Sequence, residues 1–250
     1  MNNKQVAFSS WVPAHWPVPP GIYAGTTTRD DGASCPPYDR LNLAMHVGDN
    51  PAHVNNNRLL LRRNLQLPSE PVWLAQTHSN RIIDAVKYLD NQADGAYTQK
   101  QGVVCVVLTA DCLPLMLCNN TGTQIAAIHV GWKGFCAGII ANAIHSFQPG
   151  DNIMAWLGPC IRAEQYEVGV DVYEACTQHL PGADDAFIQT RPDHWQTDLP
   201  MLVKLNLHRT GINQVYDSDI CTRMDAERFF SYRRDGETGR MASLIWMDTT

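Results

Sequence analysis

The sequence predicts a mixed α/β domain, and three features carry that expectation. One is GVVCVVLTA (102–110), an apolar run of the length of a strand buried on both faces. Another is a pair of segments with apolar residues at helical spacing, VGVDVYEACTQHL and TDLPMLVKLNLHRTG. The third is the interleaving of strand-like and helix-like segments, with polar residues gathered where the strands end. At 250 residues the chain suits one α/β unit, so a single domain over 1–250 is expected.

Taken in order, WVPAHWPVPPGIYAGTTTRDDGASCPPYDRLNLAMHVGDNP is rich in proline and glycine. It reads as short strands alternating with loops, because proline is kept out of helix interiors and central ladder positions. PAHVNNNRLLLRRNL carries proline in its first turn behind Asp49 and Asn50 as caps, and reads as a helix. PVWLAQTH and RIIDAVKYL read as two strands around a Ser-Asn turn, and ADGAYT as a tight turn before the buried strand. QIAAIHV is a strand, and GWKGFCAGIIANAIHSF opens the helix after it. NIMAWLGPCI is a strand entering a turn; the two helical segments follow, the second stopping on glycine. INQVYDS and MASLIWM close the chain as strands. Periodicity does not fix their order in a sheet.

Hydrophobic residues make up 44% and charged residues 18%, an ordinary globular balance. A net charge of −6 gives no global attraction to nucleic acid or to an anionic membrane, though it leaves room for a local cationic pocket. No apolar run approaches the ~18 residues of a membrane helix. MNNKQVAFSSWVP has one lysine and no long apolar core, so no secretory signal is read there. Eight cysteines without a CxxC fit neither a disulfide-stapled domain nor a zinc ribbon. Cys105, Cys118, Cys136 and Cys176 sit in apolar contexts as small core residues, and a reduced, cytoplasmic protein is the simplest expectation.

Three segments end a strand on a metal-capable side chain: QTH at His78, TADC at Cys112 and IHVGW at His129. One Cys and two His are a known zinc donor set, and three protein ligands leave a position open for water or substrate. Zinc brings the pKa of that water towards ~7. The alternatives are structural histidines, or a Cys-His dyad with Cys112 as thiolate, His129 as base and Asp111 orienting or balancing the site. Arg29, in TTTRDDG, could present a guanidinium fork to phosphate or simply mark a surface turn. Lys133, with the free N–H groups of a helix start at GWKGF, would suit an anion. Cys160 in GPCI reads as structural, and FFSYRRDGETGR as a solvated hairpin.

In this order QTHS, ADGAYT, TADCLPL, AAIHVGWKG, LGPCI and FFSYRRDGETGRMASLIW resemble the YfiH family, also called laccase-domain or multicopper polyphenol oxidase proteins. The likeness runs from about Gly21 to Met247, with Asp31 where the family commonly shows glycine. It implies a four-layer α-β-β-α fold, shared distantly with the deamidating domain of cytotoxic necrotizing factor toxins. It also implies one zinc held by His78, Cys112 and His129.

The resemblance implies phosphorolysis of adenosine, inosine, guanosine and methylthioadenosine, together with deamination of adenosine. The partners are then purine nucleosides and phosphate, with Arg29 and Lys133 holding the phosphate and Cys112, His129 and Asp111 at the chemistry. An alternative is a peptidoglycan-editing Cys-His amide hydrolase acting on serine-containing muropeptide precursors. A copper-dependent, laccase-like polyphenol oxidase is expected only as a side activity. Copper could occupy an N/S site of this kind. The nine histidines, however, contain no His-x-His pair of the sort a trinuclear copper cluster draws on.

Overall fold

The computed structural model describes residues 8–249; most of the N-terminal segment read as lacking a secretory signal lies outside them. The elements are β1 (Trp11–Pro13), β2 (Ile22–Thr27), α1 (Pro51–Asn64), β3 (Ile82–Asp84), β4 (Gly95–Thr98), β5 (Val104–Thr109) and β6 (Leu113–Asn119). There follow β7 (Ile125–Val130), α2 (Trp132–Cys136), α3 (Ile139–His145), β8 (Ile153–Leu157), β9 (Glu167–Gly169) and α4 (Val170–His179). The last are β10 (Phe187–Arg191), β11 (His194–Thr197), α5 (Leu199–Arg209), β12 (Gln214–Asp217), α6 (Tyr232–Asp235) and β13 (Met241–Met247).

Two sheets form the body: six strands in the order β12-β8-β6-β7-β4-β3, and four in the order β1-β2-β13-β5. Strand alternation assigns their faces. On β6, Met116 and Cys118 meet Cys105, Val107 and Ile245 of the other sheet, while Leu113, Leu115 and Leu117 turn to the helices. On β5, Val104, Val106 and Leu108 turn the other way and pack with Leu61 of α1. The layers are therefore α1, four strands, six strands, and α2 to α5: the four-layer α-β-β-α arrangement. No described helix is long and apolar enough to cross a membrane.

Several readings hold in detail. The helix from Pro51 is capped by Asn50, whose Oδ1 accepts the Ala52 N–H at 2.9 Å. Pro13 lies on the edge strand β1, where a missing donor costs little.

Others are corrected. The single helix read from GWKGF is two helices, α2 and α3, broken at Gly138, whose φ of 87° no helix interior accepts. PVWLAQTH forms only a single bridge, Val72 to Cys105, and β3 pairs parallel with β4 rather than in a hairpin. The last four residues of ADGAYT form the strand β4, not a turn. Its glycine is there for close approach, since a Cβ on Gly95 would lie 2.4 Å from Ile82 Cδ1. LPLMLCN, to which the sequence reading assigns no element, is a central strand, and Pro114 is tolerated because the β6–β8 ladder begins only at Leu115. FFSYRRDGETGR holds the short helix α6, and the hairpin of β10 and β11 was not foreseen.

Candidate metal centre and its cleft

His129 ends β7, Cys112 directly precedes β6, and these strands are antiparallel neighbours, so both side chains arrive at one end of the six-stranded sheet. His78 reaches the same point from the loop before β3. The ligand atoms of His78, Cys112 and His129 all lie within 4.8 Å of one another, and Cys112 Sγ is 3.8 Å from His78 Nε2. Tetrahedral zinc, with Zn–S about 2.3 Å and Zn–N about 2.0 Å, sets an N···S edge of about 3.5 Å, so the donor set fits such an ion. The two imidazoles meet edge to face, with ring centroids 4.7 Å apart.

What fixes the histidines is Asp94, directly before β4 and fully buried. Its carboxylate only accepts, so His129 donates Nδ1–H to Oδ1 at 2.8 Å and keeps the Nε2 lone pair for a metal. Asp94 also accepts the backbone N–H groups of Thr77 (3.1 Å), His78 (2.9 Å) and Ser79 (2.6 Å), and the Ser79 hydroxyl (2.7 Å). Five donors on one buried carboxylate offset its desolvation. Burial would push the Asp94 carboxyl up, but the hydrogen bonds from His129 and Ser79 outweigh it and hold it near 2. They also hold His78 in the left-handed region at φ 61°, a conformation that costs about 1–3 kcal/mol and needs such support.

Burial would likewise raise the Cys112 thiol. The charge and hydrogen bond of His129, with a contribution from His78, bring it down to about 6. Burial would lower His129, but the Cys112 thiolate and Asp94 raise it to about 9. Each group thus favours the charged form of the other, thiolate beside imidazolium. Gly131 makes room for His78 and Cys112: a Cβ there would lie 2.8 Å from His78 Cδ2 and 3.2 Å from Cys112 Sγ.

The centre opens on a cavity of about 280 Å³ lined by His78, Cys112, Trp132, Lys133, Tyr166 and Arg233, with Asp111 and Tyr232 beside them. That lies at the lower end of small-molecule sites. A larger cavity, about 530 Å³, sits at the far end of β8 and brings no such cluster. Asp111 is buried, with φ 87°, and its oxygens are taken by Thr222 Oγ1–H (2.7 Å), Ser231 Oγ–H (2.9 Å) and the Arg233 N–H (2.7 Å). It clasps the Ser231–Arg233 turn against the cleft.

The structure thus brings His78, Cys112, His129, Asp111 and Lys133 together. Arg29 stays outside the lining. Its Nε donates to Asp39 O at 2.8 Å, Nη1 donates to Ala226 O at 3.2 Å, and Nη2 meets the Asp39 carboxylate at 3.3 Å. The guanidinium lies 4.6 Å from the Phe230 ring centroid. The neighbouring Asp31 adopts φ 64°, which explains why glycine suits that position, and it accepts the hydroxyls of Ser9 and Ser10. Cys160 is wholly buried, as read. Asp94, Gly131, Tyr166 and Arg233 went unread as site residues, although ADGAYT and SYRRDG were already visible as motifs.

The family model described as multi-copper polyphenol oxidoreductase laccase matches residues 23–248, a stretch that holds the layered body and the Cys-His-His group, and the chain belongs to that family. Within it, the chain resembles the YfiH proteins. It is 45% identical over 242 residues to purine nucleoside phosphorylase YfiH of Shigella flexneri, covering 96% of this chain and 99% of that one. It is 41% identical over 241 residues to a purine nucleoside phosphorylase of Haemophilus influenzae, covering 94% and 98%. A crystal structure of a Neisseria meningitidis protein superposes with TM-score 0.92 at 40% identity, covering 96% and 100%. YlmD from Geobacillus stearothermophilus superposes with TM-score 0.88 at 29% identity, covering 96% and 97%. Against the plural in the family's description, the described residues hold one group of three donors spaced for a metal.

Proposed function

We propose that the chain is a zinc-dependent purine nucleoside phosphorylase acting on adenosine, inosine, guanosine and methylthioadenosine, with adenosine deaminase activity at the same centre. The observation that supports it most is an open three-donor centre beside cationic side chains, in a chain so similar to proteins named purine nucleoside phosphorylase. His78, Cys112 and His129 would hold the zinc, which when bound supplies a Lewis acid and, for deamination, an activated water.

In phosphorolysis a phosphate oxygen bonds to ribose C1′ as the bond to the purine nitrogen breaks, giving ribose 1-phosphate and the free base. The chain must hold the phosphate and balance the charge that grows on the base. Lys133 and Arg233 are the cations lining the cavity, and the phosphate is assigned to them rather than to Arg29. Trp132, Tyr166 and Tyr232 are the aromatic side chains of the lining against which a purine would pack. Asp111 keeps the wall that carries Arg233 and Tyr232 in place. It would handle a proton only by exchanging one of its three hydrogen bonds for one to substrate.

The test is turnover by metal-defined protein. Inosine should yield hypoxanthine and ribose 1-phosphate only when phosphate is present, and adenosine should yield inosine without it. Fully zinc-loaded protein that turns over neither nucleoside overturns the proposal.

A second reading, the Cys-His amide hydrolase, is favoured by the thiolate–imidazolium pair of Cys112 and His129. Iodoacetamide labelling of Cys112 separates the two. A zinc ligand labels slowly until a chelator is added. A nucleophile labels fastest in the metal-loaded protein, with activity on a serine-containing muropeptide precursor lost in step.

A further inference from the structure

Away from the metal centre, α2 and α4 touch through two cysteines. Cys136 closes α2 and is half-buried, whereas Cys176, on the inner face of α4, is buried. Their sulfurs are 3.4 Å apart, the one thiol–thiol contact among the described residues. All eight cysteines are unbonded. A disulfide needs about 2.0 Å, so the pair has to close by about 1.4 Å. The other apolar-context thiols differ: burial pushes Cys105 and Cys160 well up, and Cys118 up to about 12, so these are poor nucleophiles. Cys136 is pulled the other way by its hydrogen-bond contact with Cys176, and it is the member of the pair that solvent reaches.

The helix concerned is not remote from the chemistry. α2 starts one residue after Gly131 and carries Trp132 and Lys133 of the cavity lining. It packs on the loop that presents His78: a Cβ on Gly134 would lie 2.9 Å from Ser79 O, and Asn80 Nδ2 donates to Ala137 O at 2.7 Å.

We propose that Cys136 and Cys176 are an oxidative modification site, a thiol pair that a hydroperoxide converts to an intramolecular disulfide tethering α2 to α4. With hydrogen peroxide, the Cys136 thiol gives up its proton, the thiolate attacks one peroxide oxygen, the O–O bond breaks, and the departing hydroxide takes that proton to leave as water. The resulting sulfenic acid is attacked at sulfur by Cys176. The S–S bond forms, and the hydroxyl leaves as a second water with the Cys176 proton. Two thiols are oxidised and one peroxide is reduced. Cys136 is the attacking group because it is accessible, and Cys176 resolves because it is already in contact.

The test uses the zinc-loaded, full-length protein treated with hydrogen peroxide and mapped by peptide mass spectrometry. The two thiols should disappear in parallel into a Cys136–Cys176 cross-linked peptide, and dithiothreitol should restore both. Cys176→Ser keeps a hydrogen-bond donor but removes the resolving thiol, so the same treatment should leave a Cys136 sulfenic acid that dimedone captures. A circular dichroism spectrum unchanged from the parent shows that this variant is folded. The proposal is overturned if Cys136 and Cys176 stay reduced while other thiols of the chain oxidise. A cross-link to a different cysteine, or folded Cys176→Ser without a dimedone adduct at Cys136, overturns it equally.

Discussion

Two buried aspartates hold the two walls of the cleft, and they do so for different ends. Asp94 gathers five donors from the ligand side, among them His129 Nδ1–H and the backbone of the loop that carries His78. Asp111 gathers three from the opposite side, all from segments late in the chain: Thr222, Ser231 and Arg233. Both carboxylates lie at strand ends and neither is exposed. Their difference lies in what they pin. Asp94 orients the atoms of the candidate metal centre, so its loss should be read in metal affinity. Asp111 orients the rim that carries Arg233 and Tyr232, so its loss should be read in catalysis with the metal still bound.

Cys112, beside Asp111 in sequence but bound to the histidine side in space, gives the largest expected effect. Cys112→Ala should lose nearly all its zinc by elemental analysis while keeping the parent's circular dichroism spectrum. Stoichiometric zinc in that variant would move the ligand set elsewhere. The comparison itself is tested next. Asp94→Asn should weaken zinc binding about 10- to 100-fold, the usual cost of removing a partner that fixes a ligating histidine. Asp111→Asn should bind zinc like the parent yet lose kcat/KM. Equal metal loss in the two variants would show that the walls are not separate devices.

A smaller, pH-dependent effect sharpens the far wall. Behind it, Arg162 meets Asp217 at 2.6 Å and also donates to Ile220 O at 3.3 Å, in the loop that leads to Thr222. Burial would raise the Asp217 carboxyl, but Arg162 and Lys204 outweigh it and hold it near 2. The folded value lies below the ordinary 3.8, so this contribution is complete above about pH 4 and is lost as pH falls towards 2. It amounts to about 2 kcal/mol at most. The fall in Tm between pH 5 and pH 3 should therefore be smaller in Asp217→Asn than in the parent. An unchanged fall would remove Asp217 from the acid response.

The candidate ligands stood out in the sequence as imidazole and thiol where apolar runs stop, a pattern that leaves a Cys-His dyad or structural histidines open; the zinc assignment came with the family resemblance. Asp94 did not stand out, for two reasons. Ala-Asp-Gly is turn chemistry, and the following Gly-Ala has little strand propensity, so ADGAYT looked like a turn. Its partners at 77–79 come together with it only through packing. Asp111 was noticed as a neighbour of Cys112, but its clasp on residues more than 110 positions away was invisible until the late segment folded back. The layers followed the same logic. Buried strands such as β5 and β13 announced themselves, whereas the hairpin of β10 and β11, with mostly exposed side chains on β10, left no apolar pattern to read.

Arg29 supplies the smallest effect and the finest test of the two-wall picture. As a phosphate ligand it would need a free guanidinium facing the cavity. Instead the group is shared among Asp39 O, Ala226 O and the Asp39 carboxylate, over the ring of Phe230. Phe230 immediately precedes Ser231, one of the donors to Asp111, so Arg29 braces the far wall from behind. Losing a partly buried stacking and hydrogen-bonding contact of this kind costs about 1 kcal/mol. Arg29→Ala should therefore lower Tm slightly and leave the KM for phosphate near the parent value. Lys133→Ala, at the cavity itself, should raise the KM for phosphate without moving Tm. The KM for phosphate, measured at saturating inosine in both variants, decides between them. A steep rise in Arg29→Ala at unchanged Tm would return Arg29 to the phosphate and detach it from the wall.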